Sequence, residues 1–298
     1  MKHLIYYTAL LAFLLTSCEK QISIVELHDE SKILLYAMPT DSDEFVINIS
    51  STIPASGVIT NPDILKVECW TNGIPDEVTF VEKISVTEPY VYVYKAHGHH
   101  KSGDEICIAV TDARLKSVKA TTTIPEATDC TITDAGIVES KGNKKLRFYL
   151  NFTDRSTQDY YATRVLWVGK NGTKYGMSIS IEFEPIFDRI VDSGLDTWHE
   201  YYESIYPFTD KKMMNPEVSM YMVSDMYFPN YEETESFDLE FFTLSRDYYL
   251  MLRQLNDQCS NELGESGFSP MVSTYTNVEG GYGCVAGYIC SRKRILSL

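Results

Sequence analysis

The chain has 298 residues and a formal net charge of −16, from 42 acidic against 26 basic side chains, and 44% of it is hydrophobic. An acidic field of that size repels phosphate backbones and anionic headgroups, which argues against nucleic-acid binding. The length suits two domains or one large one, with ample capacity for a core.

Residues 1–17 read MKHLIYYTALLAFLLTS. Lys2 and His3 supply positive charge, and an apolar run follows from Leu4 to Leu15, broken only by Thr8. Spanning a bilayer core of ~30 Å takes about 20 apolar residues, so this run is too short. A short apolar run ending in small residues is the pattern of a cleaved secretory signal. Leu15-Thr16-Ser17-Cys18 resembles the bacterial lipobox, in which a large aliphatic and two small residues precede a cysteine that is lipidated and becomes the new N-terminus. Cys18 is therefore read as the lipidation site, and residues 18–31 as a tether. Two or three acyl chains, at roughly 0.8 kcal/mol per buried methylene, hold a protein stably on a membrane. Removing residues 1–17 takes away Lys2 and moves the formal charge from −16 to −17.

From Lys32 to Ile124 short β-type runs alternate with turn residues: 34–37, 45–51, 64–70, 77–84, 90–96, 105–111 and 117–124. Seven such runs, with Pro, Gly, Asn and Asp between them, predict an antiparallel sandwich of immunoglobulin or fibronectin type over residues 32–126. Pro125 ends the last run, and IPEATDC reads as a connection. Six cysteines remain besides Cys18: Cys69, Cys107, Cys130, Cys259, Cys284 and Cys290. They permit three disulfides in fifteen pairings. Alternation places Leu65, Val67 and Cys69 on one inward face and turns Cys107 outward, so these two should not bridge.

Residues 127–298 read as a second β-rich domain with one late helix. LRFYLNFTD and YYATRVLWVG are strand signals, and DMYFPN and ESFDLEFFTL are further candidates. Between Ile181 and Glu240, fifteen acidic residues face only Arg189, Lys211 and Lys212, a local net of −12. Ser245 is placed to cap a helix near 245–260, with Tyr248, Leu252, Leu255 and Cys259 at helical spacing. TNVEGGYGCVAGYICSRKRIL suggests a closing strand pair or a strand-turn-strand around the glycines.

Motifs that carry chemistry are incomplete. HGHH (His97, His99, His100) sits where a loop between sandwich strands is expected, with no further ligands at metal spacing. HEYYE, starting at His199, has Glu203 where a zinc protease needs its second histidine. GYGCVAG has the glycines of a dinucleotide loop, but only eleven residues follow Gly287, too few for a βαβ unit. Its glycines suit turns with φ > 0. Glu182 and Glu184 lack the opposed geometry of a glycosidase pair. No catalytic residue, metal or cofactor is assigned. Trp198, Tyr201, Tyr202 and Tyr206, set among carboxylates in proline-punctuated sequence, form the candidate recognition surface, because aromatic rings anchor interfaces and stack on sugars.

The lipobox, the stretch GDEICIAVTDARLKSVKATTTIP, a D-Y-Y strand, the SRDYYLMLRQL helix and the closing TNVEGGYGCVAGY follow one another in the order of domain-of-unknown-function family 4249, which the whole mature chain resembles. Ile106 stands where that family has tyrosine, and Val285 where it has phenylalanine. The resemblance implies a lipid-anchored outer-membrane protein of Bacteroidota, on the surface or periplasmic face, commonly encoded beside a TonB-dependent receptor and with no established catalytic activity. The expected function is that of a non-enzymatic accessory binding or docking protein whose ligand is open. The alternatives are a structural or adhesion protein and a secreted hydrolase.

Overall fold

A computed structural model describes residues 30–140, 142–155, 158–187, 201–213, 215–226, 233–259 and 274–298. Cys18, Trp198 and His199 lie outside them.

All seven runs expected in the first half are strands. They are β1 (Ile33–Ala37), β2 (Ser42–Ser51), β3 (Ile64–Thr71), β5 (Glu77–Ile84), β6 (Val91–His100), β7 (Glu105–Asp112) and β8 (Val118–Thr123), with a two-residue β4 (Ile74–Pro75) between β3 and β5. Their period of two sends one set of side chains inward. Ile33 and Leu35, Ile47 and Ile49, and Ile106 and Ile108 are fully buried in one cluster. One sheet contains β1-β2-β6-β5 and the other runs β4-β3-β7-β8.

Two expectations fail locally. The register of β3 shifts between Ile64 and Lys66, and Leu65 is 67% exposed rather than inward beside Cys69. A bulge inserts one residue and so changes the phase of alternation. HGHH is not a loop: β6 continues through His100, and the turn comes after it. Cys69 is buried and Cys107 half-buried, and all six described cysteines are free thiols.

The second half adds β9 (Cys130–Ser140), β10 (Asn143–Thr153), β11 (Tyr160–Gly169), β12 (Lys174–Met177), β13 (Tyr206–Thr209), β14 (Glu217–Asp225), β15 (Thr234–Leu244), the helix α1 (Arg246–Cys259), β16 (Tyr282–Val285) and β17 (Tyr288–Ser297). A sheet β14-β10-β9 faces a sheet β12-β11-β15-β17, with β13 also on β11. Phe148, Tyr161, Phe208, Phe237 and Phe241 fill the space between them. Among the described residues the chain is mainly β with one late helix, as expected. β9, β12, β13 and β14 were not anticipated. The expected strand DMYFPN begins at Asp225, where β14 ends, and Tyr227–Asn230 lie outside the described residues.

The C-terminal segment is the expected strand-turn-strand around the glycines, β16 and β17 joined through Ala286 and Gly287, but the two strands do not pair with each other. β16 runs parallel to β1, with Leu35 opposite Gly283, and so completes the first sandwich, while β17 pairs with β15 in the second. Val278 and Val285 are buried in the first core. The glycines explain the approach. Gly283 has φ +112°, and a Cβ there would collide with the Leu35 carbonyl. A Cβ on Gly287 would strike the Thr123 carbonyl of β8. The motif serves close backbone packing between distant segments, in addition to the positive φ values at Gly280 and Gly283.

The helix joins the two halves. Its start is capped by Ser245, whose Oγ accepts the Tyr248 N–H at 3.3 Å. The buried set is Tyr249, Met251, Leu252 and Asn256, not the expected row through Leu255 and Cys259; Cys259 is exposed. Two surfaces pull on the helix. Tyr249 and Leu252 pack on Ala162, Phe242 and Leu244 of the second sandwich, whereas Met251 packs on Cys284 and Ala286, beside Tyr36 and Met38 of the first. A helix held from two sides buries a wider arc than one apolar stripe.

Candidate functional site

Where the halves meet, a cleft of about 310 Å³ opens on the outer face of the first sheet. Its walls include Tyr36 and Met38, Val46 and Asn48 of β2, and Tyr288 of β17. Each position follows from local structure. In β1, Ile33, Leu35 and Ala37 take the inward places, which leaves Tyr36 on the outer face. On β2, Ile47 and Ile49 point in, so Val46 and Asn48 point out. Tyr288 is placed by the crossover from β16 to β17, where the Tyr288 N–H donates to the Pro39 carbonyl at 3.1 Å. The Tyr288 ring meets Tyr248 of α1 edge-on at 5.7 Å.

The tyrosine hydroxyls set the chemistry. Tyr36, Tyr248 and Tyr288 are half-buried, and their hydroxyls have no hydrogen-bond partner among the described residues. Burial is the leading cause that pushes all three pKa values up, with Cys284 and Tyr202 adding for Tyr36, and Tyr288 for Tyr248. They remain O–H groups at neutral pH, able to donate and accept. At the cleft edge Glu44 is paired with Lys95 at 2.5 Å and with His97 at 3.5 Å, so its charge is already answered. The Lys95 hydrogen bond is the main reason its carboxyl sits below the usual range.

Beyond Tyr248 lies an ionic group on the second sandwich. Arg164 holds the buried Glu240 through Nε at 2.8 Å and Nη2 at 2.6 Å, and Arg292 grips the other carboxylate oxygen. Arg164 also reaches Glu203 at 3.4 Å.

Of the three expected recognition residues that are described, the structure leaves one at the surface. Tyr201 and Tyr206 stack at 4.2 Å in the core, and the Tyr206 hydroxyl accepts the Ile179 N–H at 2.9 Å. They are packing residues. Tyr202 is 38% exposed on the turn Tyr202–Ser204, which is tied to α1 where the Tyr202 N–H donates to Asn256 Oδ1 at 2.7 Å. It lies close enough to Tyr36 and Tyr248 to influence both. Trp198 is outside the described residues.

The other motifs resolve structurally. His97 pairs with Thr79 Oγ1 at 2.9 Å and His99 with Asp43 at 2.7 Å. His100 is buried, its Nδ1–H donating to the Ser42 carbonyl at 2.9 Å and its Nε2 facing Asp76 at 3.4 Å. Among the described residues no group of three or more His, Cys, Asp or Glu is placed to hold a metal ion. Glu184 accepts the Tyr221 N–H at 3.1 Å. Tyr36, Asn48, Tyr248 and Tyr288 were not singled out from sequence. Tyr36 and Asn48 oppose each other on neighbouring strands, but Tyr248 and Tyr288 come from the far end of the chain, and the only sequence signal is tyrosine at the outward positions of apolar elements.

A family model described as a domain of unknown function, DUF4249, matches residues 19–294. No curated protein matches. Among solved structures, the chain is similar to the adhesin InvE of Yersinia pseudotuberculosis at 12% identity and a TM-score of 0.18, over 72% of this chain and 55% of that one. It therefore spans about half the length of that adhesin. It is also similar to the C-terminal domain of the Streptococcus agalactiae AgI/II polypeptide BspA, at 10% identity and a TM-score of 0.14, over 73% and 95% of the two chains. Scores this low carry no argument about fold or function.

Proposed function

The chain belongs to the DUF4249 family, and from that membership we propose that it is a non-enzymatic binding protein of the cell envelope. In this reading a lipid on Cys18 holds it at the outer membrane, residues 18–31 act as tether, and the two sandwiches offer their cleft to a ligand beside a TonB-dependent transporter. The observation that carries the binding role is one cleft lined by the half-buried side chains of Tyr36 and Tyr288, whose hydroxyls have no hydrogen-bond partner among the described residues. A concave site with an apolar body and a few polar groups free to donate and accept is how small-molecule sites are built. Trp198 is the preferred contact for the transporter: it is the largest ring in the acidic segment, and interface energy concentrates in such rings.

The test is purification of a tagged full-length protein from outer membranes. Recovery of a TonB-dependent β-barrel at near-stoichiometric amounts is expected, with Trp198→Ala reducing recovery. Cys18→Ala should abolish alkyne-palmitate labelling and release the protein from membranes. Labelling that persists in Cys18→Ala sinks the lipid assignment; recovery without a β-barrel sinks the docking assignment.

A further inference from the structure

We propose that the cleft takes a neutral, polyhydroxylated ligand, a glycan segment, stacked against Tyr36 and Tyr288; this rests on the reading of the cleft as a ligand site. Charge narrows the choice first. The acidic chain disfavours anions, and the carboxylate at the cleft edge, Glu44, is already held by Lys95 and His97, which leaves no free charge there to recruit a cation. The available groups are neutral: the hydroxyls of Tyr36 and Tyr288 and the amide of Asn48, which has no hydrogen-bond partner among the described residues.

Backbone topology narrows it further. A bound peptide usually adds a strand to an open sheet edge and pairs through main-chain groups. Here the cleft lies over the faces of β1 and β2, and both strands are already paired on both sides, β1 with β16 and β2, β2 with β1 and β6. No main-chain edge faces the cleft; only side chains do. Hydroxyl and amide groups beside two aromatic rings and the aliphatic surface of Met38 and Val46 match the two faces of a sugar ring. C–H groups lie on the rings, and hydroxyls exchange hydrogen bonds with tyrosine O–H and asparagine amide groups, which both donate and accept.

The experiment uses the full-length lipidated protein in an amine-oxide detergent, which has no sugar headgroup. Titration calorimetry and saturation-transfer NMR are run with maltohexaose, cellohexaose, xylohexaose and chitotriose. Hexagalacturonate, hexalysine and an alternating Ala-Gly hexapeptide serve as controls. At least one neutral oligosaccharide should bind. Tyr288→Ala should weaken it about tenfold or more, as loss of a central ring does. Tyr36→Phe and Asn48→Ala, which remove only hydrogen-bonding groups, should each weaken it about threefold. Tyr149→Ala, in the half-buried Tyr149–Tyr221 pair of the other sandwich, should leave binding unchanged. Binding of the peptide or a charged control, lost in Tyr288→Ala, overturns the glycan while keeping the cleft as a ligand site. Oligosaccharide binding indifferent to the cleft variants overturns the site. Binding by none of these probes overturns the glycan, and co-purification with the transporter then decides the docking role separately.

Discussion

In the first sandwich the strands alternate: β1 and β7 bury every second side chain, and the others face water or the cleft. In the second, β11 and β15 are buried at nearly every position, including Ser236, Asp238, Glu240 and Thr243. The cause is coverage. Apart from the cleft region, the outer face of the first sheet meets solvent. The sheet containing β11 and β15 has the aromatic core on one side and, on the other, α1 together with a layer of arginines over Glu240 and Asp238. Yet the sandwich that reads as self-contained is the one that needs help from afar, since β16 comes from the C-terminal end of the chain.

The widest break in that comparison is to withhold β16. Residues 30–126 lack Val278, Val285 and the partner of β1, and two buried valines at about 1.5–3 kcal/mol each amount to much of a typical stability of about 5–15 kcal/mol. That fragment should give no cooperative melt by circular dichroism, and adding a peptide of residues 274–287 should restore one. In the full chain, Gly283→Val should cost about 3 kcal/mol or more, since both φ and the Leu35 carbonyl oppose it. A cooperative melt of the bare fragment would make β16 an ornament.

In the second sandwich the corresponding weak point is ionic. Arg164→Met leaves the buried Glu240 with only the more exposed Arg292, and breaking such a pair costs about 3 kcal/mol. Arg164→Met with Glu240→Leu should recover most of the loss in urea melts. An uncompensated double variant would mean that packing, not charge, holds this layer.

His100 supplies the first sandwich's smaller counterpart. It packs edge-on to Phe45 at 4.8 Å and faces Asp76, which also accepts Thr71 O–H at 2.8 Å and Cys69 S–H at 3.2 Å. His100→Ala should cost about 2 kcal/mol through a cavity and a lost partner. His99→Ala, on an exposed side chain one residue away, should cost almost nothing. Equal effects would contradict the burial that separates them.

These contrasts also mark what the sequence could reveal. Period-two patterns identified seven strands of the first sandwich, all but the two-residue β4 and the distant β16, because burial there is one-sided. β14 carries the same pattern in Val218, Met220 and Met222, but it sits in an acidic, proline-punctuated run that resembles loop. β9 shows little burial pattern and places Asp134 at φ +49°, so no periodicity marks it. The parallel pairing of β16 with β1 spans nearly the whole chain, and no local rule reaches that far. The cleft was hidden for the same reason: Tyr36 and Asn48 meet across β1 and β2, but Tyr288 joins them only through the crossover from β16. Tyr201 and Tyr206 were misread because an aromatic side chain among carboxylates looks alike whether it faces solvent or fills a core.

The smallest effect separates the sandwiches by pH. Asp154, at the end of β10, accepts the Tyr161 hydroxyl at 2.8 Å. Burial raises its pKa above the ordinary value, against the lowering by that hydrogen bond, and the carboxylates of Asp210 and Asp159 push the same way as burial. A raised folded-state pKa means the fold prefers the neutral carboxyl. Its favourable contribution is present in acid, below the ordinary carboxylate range, and is lost as pH rises through the elevated value. At neutral pH the ionised group therefore subtracts from stability. Asp154→Asn keeps an acceptor for Tyr161 without the charge, so it should raise the melting temperature at pH 7 and leave it unchanged near pH 3. The first sandwich, read through the His100→Ala variant, should not respond to this substitution. If Asp154→Asn instead lowers the melting temperature at pH 7, the hydrogen bond from Tyr161 to the charged carboxylate outweighs its desolvation, and the acidic group stabilises the second sandwich.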